Sequence, residues 1–376
     1  MGIHVKQVDS VAWAELTTLT TTATSWLQSV DPFVQHFGAR LMAFLDCHLT
    51  TGLVKGEDLE LDALFDVRQL QDFNVRIIYE DQHIRFGMSF CPSGQSFTQA
   101  PDKGFFGIST PLELCRKEKD DLIPTLTSGA TKCHLLFPPQ KVTYEAREDP
   151  LVILWGERAD PSRAASEVIL EIQQIHDNPV MHTVKKAMHM WLLDKCPWIR
   201  RCGRALSASI CSFEAELSPH APPEGKIPDA FYSCPWYVSD AFNHCKDPDM
   251  KPRFRFMRDC IICQSDDSVF GLTYVPPHTY YPSHIHKPLE IYHMLSGSGR
   301  FLIAGDNDIK EVQEGSLPKS VDICIYTTDD YWVHLPYQAH AMETLEEPAL
   351  FLWGWVDDLS DIDYSYFADD IFAEYK

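Results

Sequence analysis

Residues 284–297 read His-Ile-His-Lys-Pro-Leu-Glu-Ile-Tyr-His-Met-Leu-Ser-Gly, HIHKPLEIYHMLSG. In an extended strand successive side chains alternate between faces, so His284, His286, Glu290 and Tyr292 are predicted to share one. Two imidazoles, a carboxylate and a phenol then converge. Imidazole plus carboxylate is a ligand set for Fe(II), Zn(II), Mn(II), Co(II) or Ni(II). Burying such a group without an ion to neutralise it is costly. About fifty residues on, PYQAH (336–340) supplies His340 at a predicted strand start, a fourth donor from a neighbouring strand of the same barrel. The expectation is one divalent transition metal, Fe2+ or Zn2+ foremost, with Mn2+, Co2+ and Ni2+ as further options.

Working outward, the flanking runs VFGLTYVPP, LEIYHMLSGSGRFLIAGD, DICIYTTDDYWVHLP and ALFLWGW are β-branched and aromatic, broken by Gly, Pro and Asp. They predict a small antiparallel barrel. A similar series, VRIIYED, GFFGIST, KCHLLFPP and PLVILWGE, occupies the first half. EAREDPLVILWGERAD (145–160) aligns without a gap on ETLEEPALFLWGWVDD (343–358), matching Glu145/Glu343, Pro150/Pro348, Trp155/Trp353 and Gly156/Gly354 at a constant offset of 198. A weaker match sets helical 32–45 beside 179–192 at an offset of 147, which would give the second copy about 51 more residues before its last strands. The chain therefore reads as a tandem duplication, mainly β with helical segments: 1–161 and 162–376, each opening with helices (10–48 and 162–215) and continuing into a barrel. Ser162 in DPSRAASE is a plausible N-cap at the junction. Nothing in 50–140 reproduces the His/Glu/Tyr pattern, His83-Ile-Arg85 lacks the second imidazole, and Val142 aligns with His340. The first half is expected to be metal-free and to cover the second as an internal pseudo-dimer partner, with a monomer or weak homodimer as the assembly. The acidic tail 357–376 reads equally as an amphipathic helix or a covering strap.

The chain has 376 residues with 32 Lys+Arg against 54 Asp+Glu, a net charge of −22, and no basic cluster. Nucleic-acid and anionic-membrane partners are thereby disfavoured. No apolar run approaches the roughly 20 residues that cross a bilayer, and MGIHVKQVDS has no export-signal pattern, so a cytoplasmic location is expected. Twelve cysteines in a chain this long fit reduced thiols. Cys260 and Cys263 form a single CxxC inside FRFMRDCIICQ (253–264), which reads as a strand rather than a zinc half-site.

HIHKPLEIYHMLSG resembles the first cupin motif, HxH-x3-E-x6-G, with Gly297 in register and His278 standing where many cupins have an opening Gly. HLPYQAHAM (334–342) departs from the usual PxGxxH of the second motif and is similar to the variant in cupin-type dimethylsulfoniopropionate (DMSP) lyases. Those enzymes also carry Tyr two places after the Glu, as Tyr292 does, and a Trp-rich strand like LFLWGWVDD (350–358). The resemblance implies two helix-plus-cupin halves, the first degenerate. It implies His284, His286, Glu290 and His340 as metal ligands and Tyr292 as the base of a metal-dependent carbon–sulfur lyase that splits DMSP into dimethyl sulfide and acrylate. A phenol is a poor base at its free pKa of about 10, but a neighbouring cation favours the phenolate. A sulfonium ion seeks aromatic faces, which makes Trp353, Trp355, Tyr280 and Tyr331 candidates for substrate binding. The other classes weighed are a small-thiol dioxygenase, whose sites typically use three His without the carboxylate, another cupin enzyme acting on a small carboxylate, and a non-catalytic cupin binding protein.

Overall fold

The structure is a computed structural model. It describes residues 10–50, 74–80, 84–99, 105–117, 121–125, 133–137, 140–148, 150–159, 165–210, 223, 227–239, 254–357, 359, 365–367 and 370–375. The chain divides into two compact units, Met1–His176 and Asp177–Lys376. The division falls later than the predicted 161/162, so the first helix after the junction goes with the first unit. Ser162 lies outside the described residues.

In the first unit α1 (Ser10–Leu27) and α2 (Pro32–Thr50) precede β1 (Asn74–Glu80), β2 (Ile84–Cys91), β3 (Ser96–Gln99), β4 (Phe105–Lys117), β5 (Asp121–Thr125), β6 (His134–Leu136), β7 (Val142–Glu145), β8 (Leu151–Ala159) and α3 (Ala165–Asp177). One antiparallel sheet runs β1-β2-β8-β4-β5 with β6 beside β4, and β3 pairs with β7.

The second unit opens with α4 (Pro179–Leu192) and α5 (Pro197–Ser209), followed by β9 (Tyr237–Val238), β10 (Arg258–Gln264), β11 (Ser268–Val275), β12 (Tyr280–Ile285), β13 (Leu289–Ser296), β14 (Ser298–Ala304), β15 (Val321–Thr327), β16 (Tyr331–His334), β17 (His340–Glu343), β18 (Ala349–Val356) and β19 (Ser365–Tyr366). Asn178 caps α4 by accepting from the amides of Val180 and Met181, and Pro179 sits at the first helical position. Two antiparallel sheets, β16-β13-β18-β11-β10-β9 and β15-β14-β17-β12-β19, enclose one core that draws Met294, Trp332 and Phe351 from the first and Tyr281, Phe301 and Met342 from the second. The antiparallel barrel predicted from the strand pattern is present. Gly297, at φ +87°, turns β13 into β14 where any side chain would strike the Pro348 carbonyl. Of the described tail residues, Ser365 and Tyr366 pair as a strand with β12, and Phe372 is fully buried in a cluster with Tyr280, Leu302 and Ala341.

Several cross-strand registers recur in the two units. Phe86 pairs with Gly156 and Gly87 with Trp155, as Phe270 pairs with Gly354 and Gly271 with Trp353. The outer strands carry the same irregularity, between Ile77 and Tyr79 in β1 and between Ile261 and Cys263 in β10. The helices match differently from the sequence expectation. Gly38 of α2 lies against Trp26 and Leu27 of α1, and Gly203 of α5 lies against Trp191 and Leu192 of α4, where an added Cβ would sit 2.9 Å from the Leu192 amide. Both pairs are 165 apart, so α1–α2 corresponds to α4–α5. The 147 offset gives way, and the second copy carries about 33 extra residues rather than 51. Amphipathic helices share apolar spacing and slide past one another in sequence comparison; a glycine required by close backbone approach does not.

Candidate metal centre

The HxH pair and the Glu-x-Tyr pair lie on different strands of facing sheets, not on one face of a single strand. β12 ends at Ile285, His286 sits on the turn, and β13 opens at Leu289. His284 pairs directly with His340 of β17, while Glu290 and Tyr292 project from β13. Convergence comes from the turn at Lys287-Pro288 folding one sheet over the other, which alternation along a strand could not show. A backbone bond from the Tyr337 amide to the His286 carbonyl, 2.8 Å, ties this turn to the loop before His340. Tyr337 takes φ +62° there, a left-handed conformation that favours glycine.

Cross-strand register lays the site out in rows. His334, Glu290 and Trp355 form one row over β16, β13 and β18; Trp332, Tyr292 and Trp353 form the next. His284, His286, Glu290, His334 and His340 are each at most 2% exposed. The ligand atoms of His284, His286 and His340 lie within 4.8 Å of one another, as do those of Glu290, His334 and His340.

Three of the imidazoles are anchored alike. Nδ1 of His284 meets the Pro282 carbonyl at 2.9 Å, Nδ1 of His286 the Pro288 carbonyl at 3.1 Å, and Nδ1 of His340 the Gln338 carbonyl at 2.9 Å. A carbonyl only accepts, so each Nδ1 carries a proton and each Nε2 is the atom left for a ligand. Glu290 Oε2 lies 2.8 Å from His286 Nε2, and Oε1 accepts from the Trp355 indole at 2.7 Å. His340 Nε2 is 3.2 Å from Glu290 Oε2 but outside hydrogen-bond geometry, and it is a buried atom without a partner among the described residues.

Burial and the neighbouring imidazoles hold His284 and His334 well below the usual histidine range, so both are neutral. Burial opposes protonation of His286 as well, but the Glu290 carboxylate outweighs it and raises His286 above its ordinary value. Burial would raise Glu290; His286 and His340 hold it well below the carboxylate range instead. The carboxylate is thus ionised and accepts from His286 Nε2, so His286 carries both ring protons here and would give up the Nε2 proton to an ion. An orphaned buried Nε2, three anchored tautomers and one anion are the requirements of a divalent cation, and the residues present fit one.

A narrow cleft of about 40 Å³ reaches this cluster, lined by Glu290, Tyr292, Trp353 and Trp355 from one sheet, Tyr281 and Met342 from the other, and Asp259 and Thr273 at β10 and β11. Tyr292 stacks on Trp332 at 5.6 Å and 22°, with its ring 5.7 Å from that of His334 and 6.5 Å from that of His340.

Two predicted site residues stand elsewhere. An irregularity in β12 between Tyr281 and His284 shifts the phase by one, so Tyr281, not Tyr280, shares the face of His284. Tyr280 packs with Leu302, Ala341 and Phe372 behind the sheet, where burial and Asp370 push its phenol up. Tyr331 donates to Asp194 at 2.7 Å on the helix side of β16, and burial with that carboxylate pushes it up to about 12. His334 joins the cluster unforeseen; the alternation of Trp332 and His334 in YWVH was the signal. In the first unit the matching registers place Gly107 at the position of Glu290, Ser109 at Tyr292, Val142 at His340, Leu136 at His334 and Gln99 opposite Val142.

No protein-family model matches the chain, and no curated protein does. Among solved structures it is similar to the DMSP lyase DddQ from Ruegeria pomeroyi DSS-3, at 17% identity over 54% of this chain and 94% of that one, with a TM-score of 0.32. The RmlC-like cupin from Shewanella frigidimarina matches at 10% identity over 28% and 79%, with a TM-score of 0.23. A predicted oxalate decarboxylase from Thermotoga maritima matches at 17% over 27% and 81%, with a TM-score of 0.22. Among the described residues no helix is long and apolar enough to cross a membrane.

Proposed function

We propose that the second unit is a metal-dependent carbon–sulfur lyase that eliminates dimethyl sulfide from DMSP or a closely related β-substituted carboxylate. The observation that carries the reading is the convergence of three imidazoles, each anchored through Nδ1, around an ionised Glu290, with Tyr292 two residues further along the same strand face at the wall of a cleft. His284, His286, Glu290 and His340 would hold the ion. When bound, a divalent ion supplies Lewis acidity toward a substrate carboxylate.

The chain's own groups do the rest. Tyr292 accepts the proton from the carbon next to the carboxylate, the electron pair forms the C=C bond, and the C–S bond breaks. The products are dimethyl sulfide, acrylate and a proton. Trp353 and Trp355 offer faces to a sulfonium, and no Lys or Arg lines the cleft among the described residues. The indole N–H of Trp355 fixes Glu290 and so orients the ligand set.

The test is headspace dimethyl sulfide from DMSP with metal-loaded protein, run beside oxygen uptake with cysteine. Dimethyl sulfide above the chelated control supports the lyase. Oxygen uptake without it points to the dioxygenase class, and neither product points to a binding protein.

A further inference from the structure

His334 is set differently from the other imidazoles around Glu290. It is fully buried, and its Nε2 lies 3.1 Å from the Trp332 indole nitrogen. An indole N–H can only donate, so this Nε2 accepts. In the neutral ring the proton then sits on Nδ1, which has no partner among the described residues. His284, His286 and His340 donate their Nδ1 protons to backbone carbonyls, which leaves Nε2 as the atom each offers to the centre. His334 has its lone pair occupied and its N–H left over. Three rings have their Nδ1–H on a carbonyl; the fourth has an Nδ1–H with none among the described residues.

A role as a further ligand is disfavoured by the ring geometry. His334 lies parallel to His340, 3.9 Å away at 2°. Lone pairs lie in the plane of their ring, so those of two rings stacked face to face do not converge on one point. Packing does not call for an imidazole either. Leu136 holds the matching position in the first unit, pairing with Gly107 as His334 pairs with Glu290, and is buried as well. A polar ring buried with an unsatisfied N–H, where leucine would pack, has a hydrogen bond still to make that the described residues do not supply.

We propose that His334 is a substrate-binding residue whose Nδ1–H donates a hydrogen bond to a carboxylate oxygen of a small acid bound at the centre. A ring nitrogen of His334 is within 4.8 Å of donor atoms on Glu290 and His340, which puts the ring beside the space a carboxylate would enter. As a proton leaves the adjacent carbon, negative charge grows on those oxygens and the bond strengthens. The inference rests on the reading of this site as one that binds a small carboxylate, and not on cleavage of a C–S bond.

Propionate is the probe, since it carries the carboxylate and no leaving group. Its affinity for the metal-loaded full chain is measured by titration calorimetry for wild type, His334→Leu and His334→Asn, with metal content determined on the same samples. The expected result is unchanged metal in all three, about tenfold weaker propionate binding in His334→Leu, and recovery of most of the loss in His334→Asn, whose amide N–H approximates Nδ1. Trp332→Phe, which unpins the tautomer, should also weaken binding, and it serves should the leucine variant not fold. Unchanged propionate affinity in His334→Leu overturns the proposal. So does loss of metal, which would make His334 a ligand, and so does an asparagine variant no better than leucine. Failure to release dimethyl sulfide from DMSP would leave this result standing, so the two readings fail separately.

Discussion

Changing Tyr292 to Phe removes one oxygen while keeping the ring that stacks on Trp332 and packs 5.6 Å from Phe351. If that oxygen takes the proton, elimination at saturating metal falls by about 10²–10⁴-fold with metal content unchanged. Retention of more than about a third of the rate would assign proton removal elsewhere. Tyr280 and Tyr331 are poor substitutes, since one lies behind the sheet and the other is bonded to Asp194. Glu290→Ala should act differently and lower both metal occupancy and rate, because it removes the carboxylate of the proposed ligand set and leaves His286 without its partner. At this scale the sequence motif was informative: His284, His286, Glu290, Tyr292 and His340 all come together. Tyr280 was misplaced because one irregular residue in β12 inverts side-chain phase, and period-two reasoning cannot see an irregularity.

Strands and helices explain why the cluster holds its shape. β13 carries Glu290 and Tyr292 on its inner face and His293 on its outer one, where His293 meets Trp191 of α4 and Tyr331. Burial and Lys186, against the opposing pull of Asp329 and Asp330, bring His293 down to about 4 from 6.5. A base depressed in the folded state stays neutral there while the unfolded chain protonates. The associated stability is whole above about pH 6.5 and is lost as pH falls toward 4, on the order of 3 kcal/mol. Urea midpoints at pH 7 and pH 4.5 check this: His293→Leu should lose less stability across the interval than wild type, and an equal loss in both would remove His293 from the account. The helix pair makes a second prediction. Gly203→Ala places a methyl 2.9 Å from the Leu192 amide and 3.1 Å from the Trp191 Cβ, and should cost about 1–3 kcal/mol in urea unfolding with an unchanged m value. The strand runs were legible because β-branched stretches ended at Gly, Pro and Asp. The helix correspondence was not, because only the close contact at Gly38 and Gly203 distinguishes one amphipathic helix from the next.

At the scale of the whole molecule the two units share several cross-strand registers, and the candidate site residues of the second differ from their counterparts in the first position by position. Where the second unit has Glu290, Tyr292, His334 and His340, the first has Gly107, Ser109, Leu136 and Val142. The first unit fills the space with its own bonds, Ser109 to Tyr144 at 2.5 Å and Trp155 to Ser89 at 3.0 Å. The gapless match of 145–160 on 343–358 made this repeat visible in the sequence, since cross-strand register preserves a Trp-Gly pair opposite Gly and Phe. The folding over of β12 and β13 left no comparable trace, because two short strands joined by a turn carry the same alternation as one long strand. Metal bound to the second unit should also raise its resistance to unfolding, by about 2.7 kcal/mol at a free metal concentration a hundred times Kd, and chelation should reverse the gain. The proposed site, one divalent ion held by His284, His286, Glu290 and His340 of the second unit, is tested most directly by elemental analysis of the purified full chain. Wild type should hold close to one transition-metal ion per chain, with a large loss in both His286→Ala and His340→Ala. Full metal content in either variant would contradict it.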